Sequence, residues 1–172
     1  GGSAGIGRAV AVELALLGAN VTLLARTERS LHAAIDLLDT SLGQQHHYVV
    51  IDYTDIEALK REIENVLQTR TIHILVNNTG GPAGGPIAEA GESDFLEAYR
   101  NHLICNQVLL KAVLPGMKSS GFGRVVNIIS TSVKEPIDGL GVSNTTRWAV
   151  ASWAKTLSVE LGPFGITVNN VL

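Results

Sequence analysis

The chain has 172 residues, 17% of them charged, with a formal net charge of −3. That length suits one domain with a sizeable core, and the weak negative balance argues against nucleic acid as a partner. No apolar run is long enough to span a bilayer, no signal-peptide pattern is present, and the single cysteine, Cys105, excludes an internal disulfide; a reducing, cytoplasmic setting is expected.

The opening residues, GGSAGIG, run into a helix expected from about Gly5, with Ile6, Val10, Leu14 and Leu17 on one stripe and Gly18 at its end. Residues 20–26 (NVTLLAR) read as a buried strand, followed by a helix carrying Leu31, Ile35, Leu38 and Leu42. A strand at 47–52 (HYVVID) precedes a helix with Ile56, Leu59, Ile63 and Leu67, opened by Thr54 or Asp55 as N-cap. The strand at 72–78 (IHILVNN) leads into a Pro/Gly-rich loop, GGPAGGPIAEAG (80–91), which either lines a ligand mouth or simply connects strand to helix. A long helix is expected from about Glu92 to Val113, closed by Pro115-Gly116. GRVVNIIS (123–130) is a strand, a helix runs from Ser143 to about Leu161, and GITVNNVL (165–172) is the last strand.

Uniformly apolar strands alternating with helices imply a parallel sheet covered on both faces. The expected fold is α/β, a doubly wound three-layer Rossmann-type domain spanning 1–172, with ligands bound beyond the carboxyl ends of the strands. The chain opens without methionine inside its glycine turn, which should follow a central strand. A preceding strand and a following segment are therefore expected outside residues 1–172. In the turn, Gly1 would permit a tight bend, Gly5 would let backbone approach a pyrophosphate at the helix N-terminus, and Gly7 would let the helix pack closely on the sheet. The same glycines would equally serve an ordinary turn needing positive φ.

With GGSAGIG, NNTG (77–80) and GRVVNIIS in this order, the chain resembles the short-chain dehydrogenase/reductase family over nearly its whole length. The resemblance is strongest to the 3-oxoacyl-carrier-protein-reductase-like branch. It implies nucleotide contacts at Gly1, Ser3, Gly5, Ile6 and Gly7, at Asp52 beside Tyr53 for the adenine, and in the NNTG segment at Asn78, Thr79 and Gly80, where Thr79 replaces the usual alanine. ELGPFGITVNNVL (160–172) is similar to the family segment that leads to the substrate loop.

An acidic residue at the end of the strand after the glycine helix would bind the ribose 2′-hydroxyl and select NAD(H). Here Ala25 holds that place, Arg26 follows and Arg29 is near. A guanidinium suits a 2′-phosphate, so NADP(H) is expected over NAD(H); otherwise Arg26 is an ordinary exposed strand-end charge.

The family's catalytic centre is an Asn, a Ser, a Tyr and a Lys. The resemblance puts the Ser at Ser130, the Tyr at Ser143, the Lys at Arg147, and the Asn at His102, with Asn101 beside it. A serine hydroxyl is too short and too weakly acidic to stand in for the phenol. Arg147 keeps the positive charge and can hold ribose hydroxyls, as the family's lysine does, but shuttles no proton because its pKa stays above about 12. His102 is the candidate substitute acid, with Tyr99 one turn earlier, since an unperturbed imidazole titrates near about 6.5; alternatively it merely fills the Asn position.

Two functions follow. One is NADP(H)-dependent carbonyl reduction or alcohol oxidation, of the 3-oxoacyl-thioester type, on a small-molecule carbonyl or acyl-thioester substrate, with an altered proton donor. The other is a non-catalytic NADP(H)-binding homologue that acts as a sensor or structural subunit. Helices 92–113 and 143–161, the latter bearing Trp148 and Trp153 among small residues, are expected to join a homodimer or homotetramer. His46, His47 and His73 lack metal-like spacing, so no metal site is expected, and Cys105 reads as a buried small hydrophobe.

Overall fold

Short runs of branched apolar residues form the strands, and each is followed by polar or glycine-rich chain that cannot continue it. The computed structural model describes all 172 residues, which divide into two compact units, Gly1–Ala58 and Leu59–Leu172. Both are parallel α/β, as expected.

The first unit comprises α1 (Gly5–Leu16), β1 (Thr22–Ala25), α2 (Glu28–Ile35) and β2 (His47–Val50). The strands β1 and β2 pair in parallel, Leu23 against Tyr48 and Leu24 against Val49. Its core is Ala11, Ala15, Leu23, Leu31, Ala34 and Leu38. The stripe expected on α1 is therefore displaced: Ile6 and Leu17 are 57% and 80% exposed, and the buried face is Ala11 and Ala15. Two small side chains four residues apart let the helix approach its neighbours closely, which bulkier ones would prevent. α2 is also shorter than expected, ending at Ile35, and Leu42 lies beyond it, 72% exposed.

The division between units falls within α3 (Ile56–Leu67). Asp55 is its cap, since the Asp55 Oδ1 accepts from the Ala58 N–H at 2.8 Å. The second unit then runs through β3 (Ile74–Asn77), α4 (Glu92–Tyr99), α5 (Cys105–Ser120), β4 (Gly123–Ile128), α6 (Gly141–Leu161) and β5 (Ile166–Val171). Its strands lie in the order β3-β4-β5, all parallel. Leu110, Val113 and Met117 from α5, Val125 from β4, Ala154 and Leu161 from α6, and Ile166 and Val168 from β5 form one core. Each such burial is worth about 1–3 kcal/mol, most for Leu, Ile and Met.

The single long helix expected over 92–113 is instead two helices joined by a π-helical turn, Arg100–Ile104. Nor do Pro115 and Gly116 close it: α5 continues to Ser120 with Pro115 inside. Proline removes one backbone bond, which the buried side chains on either side of it outweigh. The stop comes at Gly121, whose left-handed φ of 62° lets the chain turn away from the helix. No helix is long and apolar enough to cross a membrane.

Candidate functional site

In the first unit, the sequence-identified residues collect at the carboxyl end of the β1–β2 pair. The Gly2 N–H donates to the Leu24 carbonyl at 3.1 Å, which ties the glycine turn to the end of β1. Gly2 packs so closely on Leu23 that an added Cβ would lie 3.1 Å from the Leu23 Cδ2. The left-handed φ of 54° falls at Gly5, the first residue of α1. Gly5 thus serves the bend assigned to Gly1, and Gly2, not singled out from the sequence, is a close-packing glycine. Ala4 gives α1 no side-chain cap, and its first turn has no acidic residue. The leading N–H groups there, with Ser3, Ile6 and Gly7 around them, suit a phosphate.

Arg26 follows β1 directly, exposed and in no ion pair. Asp52 follows β2, and its Oδ1 accepts from the Thr54 N–H at 2.9 Å. Tyr53 next to it is half-buried.

In the second unit, the family positions meet around Arg147. This side chain is 8% exposed, and its Nη1 donates to the Ile128 carbonyl at the end of β4, at 3.1 Å. Its other terminal nitrogen, Nη2, faces Gly81, where an added Cβ would lie 4.0 Å away. Burial pulls its pKa below the ordinary value. Ser143, one turn earlier on the same face of α6, is half-buried and its hydroxyl makes no hydrogen bond. Ser130 follows β4; its Oγ accepts from the Ser132 N–H at 3.1 Å, so its own proton remains available to donate. Trp148 anchors this corner by donating to the Ser132 carbonyl at 3.1 Å.

His102 sits in the π-helical turn, 2% exposed, and its Nδ1 is joined to the Thr79 hydroxyl by a 2.6 Å hydrogen bond. The two residues of the NNTG and His102 segments that depart from the family pattern are thus bonded to each other. Burial, and after it the positive charge of Arg147, pushes the His102 pKa down to about 4. Near neutral pH the ring is uncharged, which disfavours the imidazolium a substitute acid would need. Asn101 beside it keeps a buried Oδ1 without a partner. Tyr99 is exposed.

Three features of this half were not read from the sequence. Asn77, Asn127 and Asn170 stand in one register across β3, β4 and β5. The Asn77 Nδ2 donates to the Asn127 Oδ1 at 2.8 Å, and the Asn127 Nδ2 to the Asn170 Oδ1 at 3.0 Å. Adjacent asparagines in NNTG and NN at 169–170 were the available signal, but only strand register aligns them. The π-helical turn carries no sequence mark. The 80–91 loop is pinned to the entry of α6, with the Gly85 N–H donating to the Gly139 carbonyl at 2.6 Å. Elsewhere, His46 is structural, accepting from the Val21 N–H at 3.2 Å. Cys105 is buried, and burial raises its thiol to about 11.

A family model described as short chain dehydrogenase matches residues 1–172. A putative ketoacyl reductase of granaticin polyketide synthesis from Streptomyces violaceoruber is 33% identical over 174 residues, covering 99% of this chain and 64% of the relative. Inactive hydroxysteroid dehydrogenase-like protein 1 from Pongo abelii is 29% identical over 175 residues, covering 100% of this chain and 53% of the relative. Among solved structures, L-sorbose reductase from Gluconobacter frateurii, complexed with NADPH and L-sorbose, is similar with a TM-score of 0.92 at 29% identity, covering 99% of this chain and 65% of that one. The chain therefore spans between about half and two thirds of the length of these three proteins.

Proposed function

Because the chain belongs to the short-chain dehydrogenase family and is of its 3-oxoacyl-reductase-like kind, we propose that it forms the nucleotide-binding and catalytic part of an NADP(H)-dependent oxidoreductase. The reaction is reduction of a small-molecule carbonyl or acyl thioester, or the reverse oxidation of an alcohol. One observation supports this reading: His102 bonds to Thr79 beyond β3, and Arg147 bonds to the Ile128 carbonyl at the end of β4, two residues before Ser130 and one turn from Ser143.

The residues of the first unit fit the nucleotide. The uncapped start of α1 and the left-handed Gly5 offer backbone donors to a pyrophosphate, with Gly1, Ser3, Ile6 and Gly7 beside them. Arg26, exposed and unpaired, takes the 2′-phosphate and favours NADP(H) over NAD(H). Asp52 and Tyr53 contact the adenine, and Asn78, Thr79 and Gly80 line the nicotinamide side. Bound NADPH supplies the hydride. Ser130 donates a hydrogen bond to the substrate oxygen, and the fixed charge of Arg147 steadies the negative charge that develops there. Ser143 cannot deliver a proton as a phenol would, so the proton comes from water and turnover is slower by about 10²–10⁴. His102 acts as a neutral hydrogen-bonding group fixed by Thr79.

A second reading, a non-catalytic NADP(H)-binding sensor or structural subunit, is favoured by the unbonded Ser143 hydroxyl and the uncharged His102. The relative whose name marks it inactive supports the same reading. Under both, the segments 92–113 and 143–161 form a homo-oligomer interface, supported by exposed Leu96, Ile104, Trp148 and Val159 on them.

Calorimetric titration with NADPH and NADH, in the wild type and in Arg26→Ala, tests the cofactor assignment. NADPH should bind at least about tenfold tighter than NADH, and the variant should lose that margin. Equal affinities in the wild type would refute it.

A further inference from the structure

Two histidines of this chain are held at Nδ1, and they are held by different kinds of group. The His46 Nδ1 accepts from the Val21 N–H at 3.2 Å, and its Nε2 lies 2.9 Å from the Asp39 carbonyl oxygen. A backbone N–H only donates and a carbonyl only accepts, so the His46 ring carries its proton on Nε2. The His102 Nδ1 instead lies 2.6 Å from the Thr79 hydroxyl, which can do either. Which of these two atoms donates decides what the other edge of the His102 ring offers.

The surroundings settle the direction. Thr79 stands two residues beyond β3, half-buried, and its hydroxyl has this one hydrogen bond. A hydroxyl always carries a proton. Were Nδ1–H the donor, the hydroxyl proton would be left without an acceptor in the protein, which is costly for a group withdrawn from water. With the hydroxyl donating, one bond satisfies both atoms. The ring then has a single proton to place, because burial, and after it the charge of Arg147 on α6, push its pKa down to about 4. That proton goes to Nε2. The ring is 2% exposed and set in the π-helical turn Arg100–Ile104, so little water reaches it to scramble the arrangement.

We infer that Thr79 is a positioning residue: its hydroxyl donates to the His102 Nδ1, pins the imidazole in the π-helical turn and fixes the ring proton on Nε2. The far edge of the ring is then a permanent N–H donor, as the side-chain amide of an asparagine would be. No charge forms on the ring and no proton crosses it, so the proton for the product still comes from water. The two departures from the family pattern, at 79 and at 102, thereby explain each other: with alanine at 79 the histidine could hold its proton on either nitrogen. The effect on turnover rests on the oxidoreductase reading above; the tautomer does not.

Nitrogen-15 labelling of the histidines in the full-length protein, read by long-range proton–nitrogen correlation, tests this without a substrate, and His102→Asn assigns the signal. The wild type should show a bare Nδ1 and a protonated Nε2 at His102, the pattern that His46 shows beside it. Thr79→Ser should keep that pattern and Thr79→Val should lose it. A hydroxyl that donates favours the neutral ring, so the His102 pKa should rise from about 4 in Thr79→Val; had the hydroxyl been the acceptor, it would fall. In NADPH oxidation with the N-acetylcysteamine thioester of acetoacetate, Thr79→Val should lower kcat about tenfold and move KM by less than about twofold. In the His102→Asn background the same change should cost less than about twofold in kcat. A protonated Nδ1 in the wild type, an unaltered tautomer or a fallen His102 pKa in Thr79→Val, or equal kcat losses in the two backgrounds each overturns the assignment. Absence of turnover in the wild type sinks the oxidoreductase reading alone and leaves the nitrogen signals to decide this one.

Discussion

The ends of β1 and β2 and the ends of β3 and β4 solve two different problems with two different kinds of atom. Around the glycine turn the working groups are backbone: N–H groups at the start of α1, a left-handed Gly5, and Gly2 pressed against Leu23. Around Arg147 they are side chains: one guanidinium, one imidazole and three hydroxyls. A backbone device depends on glycine and has kept it. A side-chain device can be re-equipped residue by residue, and that is what the proposed reading takes to have happened here. Thr79, His102 and Arg147 all depart from the family pattern, and they are joined by a hydrogen bond and by the charge that helps keep His102 neutral. Departures coupled in this way read as a rebuilt centre, whereas unrelated substitutions would have no reason to touch.

The sharpest way to probe the rebuilt half is to return it to the family pattern. Ser143→Tyr combined with Arg147→Lys restores a phenol and an ammonium four residues apart on α6, and should raise the rate of carbonyl reduction by about 10²–10⁴, measured by steady-state NADPH oxidation. No gain would mean that the geometry around Ser130 no longer suits the chemistry. The next largest effect concerns the strands that carry the site. Asn127→Ala removes both rungs of the asparagine ladder and strands the Asn77 amide, whose Oδ1 is already without a partner. A loss of about 2–4 kcal/mol in denaturant unfolding is expected.

A smaller effect comes from acid. The His102 pKa lies near 6.5 in the unfolded chain and is pushed down to about 4 in the folded one. Between those values the unfolded state binds more protons, so stability is full above about pH 6.5 and is lost as pH falls toward about 4, by at most about 3 kcal/mol. His102→Asn should flatten that part of the pH profile of the melting temperature. An unchanged slope would show that some other group sets it.

Much of this was legible from the residues in order. Strand positions came from the apolar runs, because a strand buried on both faces has no other composition. The proposed site positions rest on motif spacing, since the resemblance sets Ser130, Ser143 and Arg147 at the family's intervals. Helix ends were harder. Pro115 looked like a terminator, yet it only forbids one N–H bond, and the true stop is the left-handed Gly121. The α1 stripe misled because hydrophobic size marked Ile6 and Leu17 while close approach selected Ala11 and Ala15. The contact between Thr79 and His102 spans 23 positions and depends on how β3 lies against a π-helical turn, neither of which a periodicity records. For the same reason the ladder of asparagines emerged only with the strand register.

The central claim is that the nucleotide-binding half is intact while the proton-donating half has been altered. A single-turnover experiment addresses it directly: the full-length wild-type protein is loaded with NADPH, mixed with acetoacetate or its thioester, and followed by nicotinamide absorbance. The account predicts tight binding of NADPH and a hydride transfer that is slow, and that does not accelerate between pH 8 and pH 6 as it would if an imidazolium were the acid. Rapid oxidation that rises through that range, or no binding of NADPH at all, would contradict it.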